Sequence, residues 1–206
     1  MSDSTVLTPR KKRAARTRQA ILDAARELIT ERGAYNLSLR AIARQIEYSP
    51  AGLYEYFSSK DDIIAAVVED GFARFANDLF SVPQTLPPSE YLHELGLAYV
   101  RFAVQNPQHF MLIFNTISIH GEGERGVYIS EGTFQALTSG LQRAQNAGEI
   151  HASHDLRLLS YSAWSLVHGM ATLQLTQLRS QDADWEAATQ KALHLWFGSL
   201  QLPADD

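Results

Sequence analysis

Apolar residues recur at helical spacing from near the start of the chain. Ile21, Ala25, Leu28 and Ile29 fall at i, i+4, i+7 and i+8, one stripe of a 3.6-residue period. This pattern opens at Thr17 and predicts a helix that Gly33 closes as a left-handed C-terminal cap. After the connector from Ala34 to Leu37, Ser38 is placed to cap a second, short helix whose Leu39, Ile42, Ala43 and Ile46 share one face. Glu47 and Tyr48 make a turn. Ser49 can cap a third helix, with Pro50 at the first position, where a missing N–H would be unpaired anyway, and with Leu53 and Phe57 facing inward. Ser59 followed three residues later by Asp62 opens a fourth helix carrying Ile63, Ile64, Val67, Val68, Phe72 and Phe75.

The segment Ser81 to Ser89 holds Pro83, Pro87 and Pro88, cannot continue a helix, and is the clearest boundary in the chain. Five further helical segments are predicted beyond it: Ser89 to Gln105, Pro107 to about Ile117, Tyr128 to Ala147, Ser153 to Leu178, and Trp185 to Leu200. Gly121 to Gly126 reads as a charged, glycine-rich loop. No strand pattern competes, so the expected fold class is all-α. The expected division is a flexible basic arm over 1–16, a helix-turn-helix module with its linking helix over 17–80, and a larger helical domain over 81–206.

Charge is distributed unevenly. The net charge of the whole is −5, yet residues 1 to 60 sum to +5 and residues 61 to 206 to −10. Six cations (Arg10, Lys11, Lys12, Arg13, Arg16 and Arg18) stand together without an acid. A basic end on an acidic body suits a protein of which one end meets a polyanion. With 45% hydrophobic and 20% charged residues, the composition is that of a globular protein. The absence of cysteine excludes disulfides, thiolate zinc sites and thiol nucleophiles, and fits a reducing cytoplasm. The basic N-terminal stretch is followed by no apolar run of a signal peptide. The most apolar segment, Phe110 to Ile119, contains Asn115 and falls short of the roughly 20 residues of a membrane span.

Two helices separated by a tight turn are the geometry in which the later helix enters a major groove. The blocks Leu39-Arg40-Ala41-Ile42-Ala43, Ser49-Pro50-Ala51-Gly52-Leu53-Tyr54-Glu55-Tyr56-Phe57 and Ser58-Ser59-Lys60-Asp61-Asp62-Ile63 stand in register. Together they closely resemble the DNA-binding domain of TetR-type repressors over about residues 15 to 65, with the helix-turn-helix running from Ser38 to Phe57. The resemblance implies that Tyr54, Tyr56 and Lys60 grip phosphates, that Ser38 and Arg40 meet backbone or groove edge, and that Ser49, Pro50, Ala51 and Gly52 read bases. Phenolic hydroxyls and a cation at a helix N-terminus suit the first task. Small side chains suit close approach to base edges, including thymine methyls. The basic arm either enters a minor groove or adds phosphate contacts. In one place the chain departs from the family: Glu47 and Tyr48 stand where Gly-Val is usual. A non-glycine residue there is expected at positive φ, at a cost of roughly 1–2 kcal/mol.

Ser162-Ala163-Trp164-Ser165-Leu166-Val167-His168-Gly169 is similar to the Trp...His-Gly signature of one branch of that family, and Asn106-Pro107 with Phe110, Met111 and Phe114 fits the same branch. Tyr99, Phe102, Phe110, Met111, Phe114, Trp164 and His168 are the candidate lining of an effector pocket. His168 either donates to a ligand or is satisfied inside the core. Gly169 is expected under a closely packed helix. The resemblance implies homodimerisation through the last two helices, for which Trp185, Leu193, Trp196, Phe197 and Leu200 are apolar enough; these residues could instead cover the protomer's own core.

The implied protein is therefore a ligand-responsive transcriptional regulator of repressor type. Its expected partners are double-stranded operator DNA, a small lipophilic effector and a second copy of itself, with no membrane and no cofactor. Against an enzyme, Ser153-His154-Asp155 are neighbours in sequence and do not converge on one reacting atom. The seven histidines include no His-x-x-x-His pair and one Glu-x-x-His, Glu90 to His93, where a di-iron site takes two such motifs, so no metal site is expected, and no glycine-rich phosphate loop is present. The alternative is a helical interaction protein that has lost specific operator binding.

Overall fold

The computed structural model describes residues 8–116 and 131–202, and these are helical throughout apart from connectors. In order they form α1 (Pro9–Arg32), a 3₁₀ turn (Ala34–Asn36), α2 (Leu39–Gln45), α3 (Pro50–Leu53), α4 (Lys60–Phe80), α5 (Pro88–Gln105), α6 (Pro107–Thr116), α7 (Glu131–Asn146), α8 (Leu156–Leu175) and α9 (Trp185–Ser199). The predicted loop Gly121 to Gly126 and the expected start of the seventh helix at Tyr128 lie outside the described residues.

Two compact units divide the chain. Of the described residues, the first comprises 8–71 and 111–116 and the second 72–110 and 131–202, so the division falls within α4 and again within α6. In the first unit α1 packs on α2 and on the 3₁₀ turn, and α2 packs on α3. Their core is the predicted stripe of α1 closed by Ile42, Leu53, Phe57, Ile63, Ile64 and Val67. In the second unit α5 is central, packed against α7, α8 and α9. Gly140 and Gly96 permit that closeness: a Cβ at either would sit 2.9 Å from Leu92 and Tyr91, or from Leu193.

Three elements differ from the sequence reading. The first helix begins at Pro9 rather than Thr17, so the expected flexible arm is helical from its ninth residue. The reason is local: the Thr8 side chain accepts from the Lys11 N–H, proline takes the first turn, and alanine, arginine and lysine are good helix formers. Second, α8 starts after Asp155, whose carboxylate caps the Leu158 N–H at 2.8 Å, so Ser153 and His154 belong to the connector. The helix ends at Leu175, where the next residue, Thr176, has left the helical backbone (φ −117°, ψ −90°). Third, nothing from another part of the described chain lies within 4 Å of a Cβ placed on Gly169, so the close packing expected there is absent within the protomer. Gly33 closes α1, though not in the left-handed helical backbone expected: it has φ 79° and ψ 154°, an extended positive-φ conformation that only glycine adopts freely.

Candidate nucleic-acid interface and effector cluster

The turn of the helix-turn-helix is built by backbone hydrogen bonds. At the end of α2 the Tyr48 N–H donates to the Ala43 carbonyl at 2.8 Å and the Glu47 N–H to the Arg44 carbonyl at 3.4 Å. This pair of bonds is a Schellman motif, which requires a left-handed residue between them. Glu47 supplies it at φ 53°, the positive-φ non-glycine residue among those described. The turn is therefore kept despite the missing glycine, with strain at Glu47.

The third helix follows at once. Ser49 is its cap, accepting the Gly52 N–H at 3.0 Å, and Pro50 occupies its first turn. The α-helix proper ends at Leu53; Tyr54, Glu55 and Tyr56 extend it as tighter turns bonded three residues back. Leu53 and Phe57 point into the core, while Ser49, Pro50 and Ala51 are exposed and Gly52 is half-buried. Tyr54 is 59% exposed and Tyr56 half-buried. Ser38 stands at the N-cap position of α2 in extended conformation, exposed, and its hydroxyl makes no capping bond; Arg40, one residue inside α2, is exposed. Most of the candidates thus occupy a continuous run, Ser49 to Lys60, anchored by Leu53 and Phe57, which are turned inward.

Lys60 opens α4, and its Nζ lies 3.3 Å from the Tyr35 carbonyl oxygen and 5.9 Å from the centre of the Tyr35 ring. Tyr35 is itself 79% exposed. Sequence reading missed this neighbour, because an aromatic in a three-residue turn carries no periodic signal. Arg18 of the basic segment lies over the Phe57 ring at 4.9 Å.

In the second unit, α5 and α8 bring Tyr99, Trp164 and His168 together. Trp164 Nε1–H donates to the Tyr99 hydroxyl at 3.2 Å, and that hydroxyl lies 2.9 Å from His168 Nδ1. Which of the Tyr99 hydroxyl and His168 Nδ1 donates follows from the imidazole tautomer. Burial pushes the His168 pKa down and the Tyr99 pKa up, which keeps both groups uncharged. Phe110 lies 5.5 Å from the His168 ring and 5.9 Å from Tyr99, and Phe75 packs on Tyr99 and Phe102 at 5.1 Å each. Tyr99, Phe102 and Phe110 are buried, whereas Trp164 and His168 keep an exposed edge. Phe75 was read only as a core residue of the fourth helix; it is a full member of this cluster. Met111 and Phe114, grouped with these residues by sequence, fall in the first unit. An open groove of about 370 Å³ is lined by Phe102 of the cluster together with Val82, Asp78, Glu94 and Arg101. Among the described residues no set of His, Asp and Glu could hold a metal ion, and no helix is long and apolar enough to cross a membrane.

A small unit with a helix-turn-helix that exposes its third helix, followed by a larger all-helical unit, defines a DNA-binding transcription regulator. Residues 21–67 match the family described as bacterial regulatory proteins, tetR family, and residues 92–195 match the tetracyclin repressor-like C-terminal domain. The chain belongs to the tetR family, whose members are transcriptional regulators and not enzymes. It is 25% identical over 195 residues to the HTH-type transcriptional regulator UidR of Escherichia coli K12, covering 89% of this chain and 92% of that one. Among solved structures it is similar to a protein of unknown function from Rhodococcus sp. RHA1, with a TM-score of 0.77, 23% identity, and 90% and 95% of the two chains covered. It is also similar to the fatty acid degradation regulator FadR from Bacillus halodurans, with a TM-score of 0.75, 17% identity, and 95% and 98% covered.

Proposed function

We propose that this regulator is a cytoplasmic repressor that grips a palindromic operator as a homodimer and releases it when a small lipophilic effector binds its second domain. The observation that carries the reading is the run from Ser49 to Lys60, whose exposed side chains project from a segment anchored by Leu53 and Phe57. Tyr54, Tyr56, Lys60, Ser38 and Arg40 hold phosphates; Ser49, Pro50 and Ala51 approach base edges. We keep α4 whole, through Phe80, as part of the DNA-binding module, because it is one continuous helix.

Support for the dimer comes from α8 and α9. Leu193 and Leu200 are buried within the protomer and Trp185, Trp196 and Phe197 are half-buried, while Leu158, Tyr161, Leu173 and Leu195 stand exposed for a partner. Gly169 and Gly198, with open space at their Cβ positions, allow close approach beside them. Support for the effector comes from the Tyr99–Trp164–His168 group, a polar tip on an aromatic nest, which suits a mostly apolar molecule bearing a neutral hydrogen-bonding end. The mechanism is a population shift: the effector favours a spacing of the two third helices that no longer fits half-sites about 34 Å apart.

The test is titration of the protein's own upstream region against unrelated duplex. The expected result is preference for the former, with log K falling by ~0.9 per phosphate contact per log unit of salt. Equal binding to any duplex refutes the operator reading in favour of an interaction protein. An effector that binds free and operator-bound protein equally refutes the release scheme.

A further inference from the structure

The turn residue Tyr48 occupies the space that a side chain at position 52 would fill. A Cβ built on Gly52 would lie 2.5 Å from Tyr48 Cε1 and 3.1 Å from its Cδ1, so the ring lies directly against the backbone of α3. The ring is held there from two sides. Its backbone is fixed by the Schellman bonds that follow left-handed Glu47. Its far end meets Tyr56, with ring centres 6.3 Å apart in an edge-to-face arrangement, and this neighbouring phenol pushes the Tyr48 pKa up. Tyr48 nevertheless remains 39% exposed. Glycine at 52 has no side chain to offer a base, yet the surface over it is an aromatic edge.

We propose that Tyr48 is a specificity-determining residue of this helix-turn-helix, presenting its ring edge to a thymine methyl at the base pair that faces Gly52. Apolar contact is how thymine's C5-methyl is distinguished in the major groove. A ring already packed against Tyr56 and the backbone at Gly52 loses little conformational freedom on making that contact. Glycine at 52 is then required for recognition, since it leaves room for the ring. The inference rests on the reading that α3 enters the major groove.

Selection from duplexes with a randomised core, using the full-length protein, tests it. Wild type is expected to select a defined sequence with a thymine at one position of each half-site. Tyr48→Val is expected to lower the preference for that thymine by about tenfold, the scale of one methyl group's recognition, while other positions are read as before. Gly52→Ala, whose methyl displaces the ring, is expected to alter the same position. Replacing that thymine by deoxyuridine removes only the methyl; it weakens wild type and leaves Tyr48→Val unaffected, and the wild-type arm is informative even if a variant fails to fold. Unchanged base preference in Tyr48→Val, effects of the two substitutions at different positions, or indifference of wild type to deoxyuridine at every thymine overturns the proposal. Wild type that selects no sequence at all overturns the operator reading beneath it.

Discussion

Glu47 adopts a left-handed backbone at φ 53° without the freedom of glycine, a residue held under strain by its neighbours' hydrogen bonds. Glu47→Gly removes the Cβ clash, and the flexibility it adds to the unfolded chain offsets only part of the gain. The substitution is expected to stabilise the protein by about 0.5–1 kcal/mol, read as a higher urea midpoint at unchanged slope. The clue to this strain was visible in the sequence as a departure from a familiar motif. His168 makes the opposite case. Its pairing with Tyr99 joins residues 69 apart in the chain and has no sequence signature. Because burial lowers its folded pKa, the unfolded state takes up the proton first as pH falls. Stability is therefore expected to be full above the unfolded value of about 6.5 and to decline from there toward the folded pKa. His168→Gln should flatten that part of the pH profile, as read by urea melts taken about one pH unit above and one below that value.

For the elements, α1 changes what the basic segment can do. A helix about 10–12 Å across does not thread a minor groove about 6 Å wide. Of the two roles open at the sequence level, phosphate contact is the one a helical segment from Pro9 onward favours. The cations Arg10 to Arg18 also crowd the positive end of the helix dipole, with no acid in the first turn, an arrangement that a polyanion relieves. Replacing Lys12, Arg13 and Arg16 together by alanine is expected to weaken binding to every duplex alike. It should reduce the slope of log K against log salt by ~0.9 for each phosphate that is no longer neutralised. A change in sequence preference would contradict a purely electrostatic role. Periodicity located α2 and α4 to within a residue or two but placed the start of α1 eight residues late, at Thr17 instead of Pro9. The first two turns are charged on all sides and carry no apolar stripe; capping and propensity make them helical.

Across the molecule as a whole, the second unit both buries its core and leaves an apolar face on α8 and α9. Leu195 is 74% exposed, and Leu158 and Tyr161 are nearly as open. Leu195→Asp, at a site that touches little of its own protomer, is expected to leave the fold intact by circular dichroism while converting a dimer to a monomer in sedimentation. Operator affinity should then fall at least ~10-fold, because one half-site's contacts no longer assist the other's. An unaltered dimer would place the interface elsewhere. Trp196 shows why sequence could not divide these residues: its indole donates to Ser162 at 3.0 Å inside the protomer, although its position in α9 reads as equally suited to a partner.

The helical class, the helix-turn-helix with its exposed small residues, the strained turn at Glu47 and the polarity of charge along the chain were all legible before any folding was considered. The helices follow from periodicity, capping and spacing, which act over a few residues, and the charge polarity from composition; the helix-turn-helix and the departure at Glu47 came from the resemblance to the TetR-type DNA-binding domain. Tertiary packing settled the rest: which apolar residues of α9 are core, that Gly169 faces open space, that Phe75 joins Tyr99 and His168, and that Tyr48 covers Gly52. Each of these depends on which surfaces meet when distant or oppositely directed segments pack, and hydrophobicity alone does not distinguish a face buried in its own chain from one left for another.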